Sequence, residues 1–210
     1  KERAKFCRLK LKRFLYLISP NKIKTNFYKD LEEVLSSNKV KYFQLRLKNY
    51  PFSRILKIAK KIKKITKKNK VKLIINDSVY IAKKLNSDGC HLGQKDMKIE
   101  EAKKILGKKI IGVTCHNSIN LAKIAIYHKV DYIAFGAFYP SKTKKTKHVA
   151  SIKILNKVKK FAKTPVVAIG GINSDNYKNL LLNKANFLAI SSYVWKNKKF
   201  KPHQAIKKLI

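Results

Sequence analysis

The chain has 210 residues, 45% of them hydrophobic, enough apolar material for one full core and for a single domain over residues 1–210. No run approaches the ~20 apolar residues of a membrane span. The three cysteines, Cys7, Cys90 and Cys115, lack CxxC spacing, which argues against a disulfide framework or a zinc site and fits a reducing, cytoplasmic compartment.

The charge is lopsided: 51 basic residues against 11 acidic ones, a net charge of +40. Such a field attracts phosphate and invites a nucleic-acid reading. However, 46 of the basic residues are Lys and five are Arg, and Arg is the usual base-edge reader. The lysines are spread over every helical segment instead of forming one tail. They read as surface composition that draws small anions, with no dedicated nucleic-acid partner.

In chain order, residues 1–13 read as a basic extension or helix. The chain starts at Lys1 without Met, as trimming or an upstream start would leave it. A basic segment before the apolar residues 14–18 has the outline of a signal peptide, but its apolar part is shorter than the roughly 7–15 residues of a signal core. It reads as a first buried strand. Short β-branched runs predict strands at 15–19, 42–46, 72–76, 89–92, 109–114, 132–135, 165–169 and 187–190. Between them, helical periodicity predicts helices at 30–37, 52–67, 79–85, 99–106, 119–128, 152–161 and 175–183. Strand–helix alternation implies a parallel sheet covered by helices. Eight units in about 200 residues match a (β/α)8 TIM barrel. The alternative, a doubly wound open sheet, favours a Gly-rich turn after the first strand. Here that turn is Ser19-Pro20-Asn21.

A barrel places its active site at the C-terminal strand ends. In order, these ends offer Gln44, Arg46 and Lys48, which alternate onto one face, then Asn76 and Asp77, then Asp96, Thr114, a Ser141-to-Lys144 segment, Gly170-Gly171, and Ile190 with Ser191. Asp77 and Asp96 have two readings, a helix cap and a turn residue, or a pair that shares Mg2+ with substrate phosphate oxygens. Gly170-Gly171 is either a tight turn or a phosphate cradle of bare amides at a helix start. Arg46, Lys48 and Lys144 suit a second anionic group. His91 and His116 lack a carboxylate neighbour in sequence and read first as structural, hydrogen-bonded residues.

Seven phrases in order, QLRLK (44–48), IIND (74–77), DGCHLGQKD (88–96), IIGVTCHN (110–117), DYIAFGAFYPSKTKK (131–145), PVVAIGGI (165–172) and AIS (189–191), resemble the thiamine-phosphate synthase family. The resemblance implies a (β/α)8 barrel that joins a hydroxymethylpyrimidine diphosphate to a thiazole phosphate and releases diphosphate, with Mg2+ as cofactor. It implies that Gln44, Arg46, Lys48 and Asn76 contact the pyrimidine diphosphate, that Asp77 and Asp96 hold Mg2+, and that Thr114 and Lys144 touch the diphosphate. Ser141, Thr143, Gly171, Ile190 and Ser191 are implied to hold the thiazole phosphate. Arg46, Lys48, Thr114 and Lys144 are thereby the expected catalytic group, acting by stabilising the leaving group without a side-chain nucleophile. The implied partners are small phosphorylated molecules, with no membrane, and a homo-oligomer is left open.

Thr114 stands where the family usually has Ser, and Ser141 where it usually has Thr; both keep a hydroxyl. The first forty residues match the family poorly. The related thiazole tautomerase branch is the alternative. It carries a catalytic His directly after the glycine of the sixth strand end, where this chain has Ala137 after Gly136.

Overall fold

The structure, a computed structural model, describes residues 14–140 and 149–209. Eight parallel strands close into a barrel in sequence order, with β1 pairing to both β2 and β8. The strands are β1 Leu15–Ile18, β2 Val40–Leu45, β3 Lys72–Asn76, β4 Gly89–Leu92, β5 Ile110–His116, β6 Tyr132–Gly136, β7 Val166–Ile169 and β8 Phe187–Ile190. Among the described residues, the helices that follow them are α1 Phe27–Leu35, α2 Phe52–Lys68, α3 Val79–Leu85, α4 Ile99–Leu106, α5 Ile119–Tyr127, α6 Lys153–Val158 and α7 Tyr177–Leu182, with α8 Ser192–Trp195 and α9 Pro202–Lys207 after β8. The (β/α)8 expectation holds.

Alternation along each strand produces two cores. Tyr16, Ile18, Ile74, Tyr132, Ala134, Val167 and Ala189 fill the barrel interior. Their neighbours, such as Leu15, Leu17, Phe43, Leu73, Ile75 and Ile133, pack outward beneath the helices. Both faces of the sheet are buried, which is why the strands read as continuous apolar runs. In α2, Ala59 and Ile62 are buried and Ile55, Leu56 and Ile58 pack partly against the core, on the face that the periodicity marks. Ser78 and Ser118 cap α3 and α5 by accepting from the amides of Ile81 and Leu121.

The N-terminal rim uses one device three times. Asp88, Asp131 and Asn186 each precede an even-numbered strand, and each accepts from a backbone N–H beside the neighbouring odd strand: Leu73 at 2.9 Å, Ile111 at 2.8 Å and Val166 at 2.8 Å. These side chains pin strand register at the end of the barrel away from the expected site.

Some boundaries differ from the sequence reading. β5 runs to His116, with a register shift between Thr114 and His116. The helix expected from residue 175 starts at Tyr177, because the Asn173 side chain accepts from the amides of Asp175 and Asn176 and holds that segment in a turn. The helix expected over 152–161 is shorter, Lys153–Val158. The short α8 and α9 were not foreseen, since four and six residues carry too little periodicity.

Candidate active site

Gln44 sits on β2 inside the barrel, 3% exposed. Arg46 and Lys48 follow just beyond the strand, Arg46 half-buried and Lys48 exposed. Arg46 is anchored by Ser19, a buried residue at the end of β1. The Ser19 hydroxyl accepts from the Arg46 amide at 2.9 Å, and the Ser19 carbonyl accepts from the Ser191 hydroxyl at 3.2 Å. One serine thus ties the ends of β1, β2 and β8 together. Nothing in Ser19-Pro20-Asn21 by itself marks the serine for this role. Trp195 reinforces the same corner by donating from Nε1 to the Ile18 carbonyl at 2.7 Å.

Asp77 follows β3 with a backbone φ of 63°, a left-handed conformation that Asp tolerates better than most residues. Its amide extends the β3–β4 ladder to the His91 carbonyl at 2.8 Å. Its carboxyl lies within hydrogen-bonding reach of Asp96. Burial, then Asp96, pushes the Asp77 carboxyl up to about 6, while Lys48 and Arg46 draw it back down. The loop that delivers Asp96 is closed by Asp96 itself, whose Oδ2 accepts from the Gly93 amide at 2.6 Å. Both carboxylates and both cations therefore share one neighbourhood. Asp77 is not the cap of α3, which is Ser78, whereas Asp96 does sit in a turn, the one its carboxylate closes on the Gly93 amide. Among the described residues, no three His, Cys, Asp or Glu side chains gather as a metal cluster.

Thr114, near the end of β5, is held by His91, whose Nε2 lies 2.8 Å from the Thr114 hydroxyl. The other ring nitrogen of His91, Nδ1, lies 3.0 Å from the Tyr132 hydroxyl. Burial pulls His91 down to about 4, so the ring is neutral at physiological pH. The structural reading of His91 is consistent with both nitrogens being occupied. Asn76 ends β3, half-buried, with its carbonyl accepting from the Ser78 amide at 2.7 Å. Gln94 donates from Nε2 to the Thr114 carbonyl.

On the opposite side, Gly170 and Gly171 follow β7 with φ of 103° and 62°. A Cβ on Gly171 would come within 2.4 Å of the Pro140 carbonyl oxygen, so the turn needs glycine for space as well as conformation. Asn176 holds the turn by donating to the Gly171 carbonyl at 3.0 Å. Ile190 ends β8, buried, and Ser191 follows it half-buried. Ser141, Thr143 and Lys144 lie outside the described residues. Cys90 and Cys115 are free and buried, and burial raises each thiol to about 12, which makes them inert.

A closed parallel barrel with a carboxylate pair, two cations and a glycine turn at its C-terminal strand ends defines a (β/α)8-barrel enzyme. The family model for thiamine monophosphate synthase matches residues 15–194. The thiamine-phosphate synthase of Pelagibacter ubique is 64% identical over 199 residues, covering 94% of this chain and 96% of that protein. The thiamine-phosphate synthase of Erythrobacter litoralis is 39% identical, covering 86% of this chain and 87% of that protein. Among solved structures, the thiamine phosphate pyrophosphorylase of Pyrococcus furiosus superposes with a TM-score of 0.83 at 31% identity, covering 97% of this chain and 95% of that one. The chain belongs to the thiamine monophosphate synthase family, and it is a transferase of thiamine biosynthesis. The match begins at residue 15, so the likeness reaches back through β1, well ahead of the first motif at residue 44.

Proposed function

We propose that this barrel condenses 4-amino-2-methyl-5-hydroxymethylpyrimidine diphosphate with 4-methyl-5-(2-phosphoethyl)thiazole to give thiamine phosphate and diphosphate. The observation that carries the site assignment is the Asp77–Asp96 pair flanked by Arg46 and Lys48. Two hard carboxylates side by side, with the Asp77 carboxyl raised by burial and by its neighbour, suit a small divalent cation that takes its remaining ligands from water and substrate phosphate. Asp77 and Asp96 would hold Mg2+, which supplies charge neutralisation on the leaving diphosphate when bound.

The chain's own residues do the rest. Arg46 and Lys48 bind the diphosphate and offset the charge that grows as the bond from the pyrimidine methylene to the diphosphate oxygen breaks. Gln44 and Asn76 orient the pyrimidine. The Thr114 hydroxyl donates to the departing diphosphate, joined by Lys144. Gly171, Ile190 and Ser191, with Ser141 and Thr143, hold the thiazole phosphate so that the ring nitrogen faces the methylene. Positioning two substrates and stabilising a leaving group account for catalysis without a covalent enzyme intermediate.

The tautomerase alternative is disfavoured by Ala137, which is buried where that branch carries its catalytic His. We place the whole of residues 1–210 in one barrel domain and the protein in the cytoplasm; the free, buried thiols of Cys90 and Cys115 support a reducing compartment. Among the described residues, no helix is long and apolar enough to cross a membrane. The test is to mix the protein with both substrates and Mg2+ and to look for thiamine phosphate by mass. Its absence, or turnover of a thiazole tautomer instead, would overturn the assignment.

A further inference from the structure

Gln44 and Thr114 stand on β2 and β5, yet buried hydrogen bonds join them through the barrel. Gln44 Nε2 donates to the Tyr16 hydroxyl at 2.9 Å. The Tyr16 and Tyr132 hydroxyls lie 2.7 Å apart. Tyr132 reaches His91 Nδ1 at 3.0 Å, and His91 Nε2 reaches Thr114 Oγ1 at 2.8 Å. The two tyrosines are 1% and 0% exposed, so their hydroxyls are cut off from bulk water and depend on these partners. Space for the chain is provided by Gly112 on β5. A Cβ there would fall 1.9 Å from Tyr132 Cζ, so the hydroxyl end of Tyr132 fills the volume of an absent side chain.

We propose that Tyr16 and Tyr132, with His91, are positioning residues that form a one-way hydrogen-bond chain from Gln44 to Thr114 and leave the Thr114 hydroxyl proton free for the departing diphosphate. The inference rests on the reading that Thr114 faces that group.

The direction follows from counting protons. Tyr16 accepts from Gln44, so its single proton finds a partner only in Tyr132. Tyr132 then donates onward to His91 Nδ1. A neutral imidazole that accepts at Nδ1 carries its proton on Nε2 and donates it to Thr114 Oγ1. Thr114 has now accepted, and its own proton remains to be given. If His91 instead carried its proton on Nδ1 while Gln44 donated, Tyr16 would accept twice and its buried proton would have no acceptor. Turning the Gln44 amide over reverses the whole chain. Thr114 would then give its proton to His91 and present lone pairs to an anion. A diphosphate leaving group selects against that arrangement, and its charge is greatest as the bond breaks, so the gain is realised in the transition state.

The experiment combines nitrogen-15 NMR of the imidazole of His91, assigned by its loss in His91→Gln, with steady-state kinetics of Tyr132→Phe. The wild type is expected to show the Nε2-protonated tautomer. Tyr132→Phe keeps the ring and removes the link. It is expected to mix the two tautomers and lower kcat about tenfold, with KM for the pyrimidine diphosphate within about twofold. A wild-type ring protonated on Nδ1 would overturn the proposal, and so would a folded Tyr132→Phe with unchanged kcat and only a lower melting temperature. If Tyr132→Phe does not fold, Tyr16→Phe serves instead: its Tyr132 proton has no acceptor but His91 Nδ1, so the Nε2-protonated tautomer is expected, and a ring protonated on Nδ1 would overturn the proposal. A wild type that makes no thiamine phosphate would overturn the functional reading instead, while the tautomer would still decide the chain's direction.

Discussion

Asp77 and Asp96, nineteen positions apart in sequence, bring their carboxyls within hydrogen-bonding reach at the mouth of the barrel. Their proximity is unfavourable for two bare carboxylates and favourable once a divalent cation lies between their charges. Asp77→Asn and Asp96→Asn are each expected to lower kcat/KM by roughly 100-fold or more and to raise the Mg2+ needed for half-maximal rate. Without metal, Asp77→Asn is expected to be at least as stable as the wild type, because it removes the repulsion and Asn also accepts a left-handed backbone. A Mg2+ titration of the condensation rate, with urea denaturation in chelator, checks both expectations.

His91 and Asp77 set opposite slopes in acid. The His91 ring is held near 4 against an ordinary value of 6.5. Above 6.5 it is neutral in both states; below that, the unfolded chain takes up a proton that the folded chain refuses, so stability falls until about pH 4. At about 1.4 kcal/mol per pH unit, the loss approaches roughly 3 kcal/mol. Asp77 is raised from 3.8 to about 6, so its contribution is present below 3.8 and lost as pH rises through 6. In the same window it partly offsets His91. His91→Gln should flatten the acid limb of a urea-midpoint curve between pH 7 and 4, and Asp77→Asn should steepen it.

Gly171→Ala combines a φ of 62° with a contact of 2.4 Å to the Pro140 carbonyl. The expected cost is about 1–3 kcal/mol of stability. The expected kinetic effect is a KM for the thiazole phosphate raised about tenfold or more, with KM for the pyrimidine diphosphate little changed. Separate substrate titrations on the variant distinguish a local phosphate effect from general loosening.

The N-terminal rim provides the contrasting case. Asp131→Ala removes the acceptor for the Ile111 amide, and Asp88→Ala removes the one for Leu73. Each is expected to cost about 1–3 kcal/mol of stability, since a backbone donor loses its partner. Neither should alter kcat/KM at a temperature where the protein stays folded. Denaturant midpoints and initial rates measured side by side test this separation of stability from function.

The strands of this barrel were legible because their apolar runs are short and β-branched, and the turn chemistry between them is regular. The span 72–76 was read without error, as were 89–92 and 187–190. Alternation also placed Gln44, Arg46 and Lys48 on one face, and the structure sets Arg46 and Lys48 beside Asp77. Less legible are Ser19, which joins three strand ends, and Tyr16 and Tyr132, which nothing in their strands sets apart. Nothing within LYLI or DYIAFG says that one tyrosine hydroxyl will meet the other from 116 positions away.

The sequence by itself determined the barrel, the order of polar strand ends and the family, because periodicity and motif order are local properties that survive without coordinates. Only the tertiary structure decided which side chains meet. Closing the barrel carries β1 against β8, so that Ser19 holds Ser191, and it directs alternate residues of β1, β4 and β6 into one interior. There, burial leaves each hydroxyl and imidazole nitrogen to find a partner within the protein, and whether an Asp is a cap or half of a cation site depends on what stands across the mouth from it.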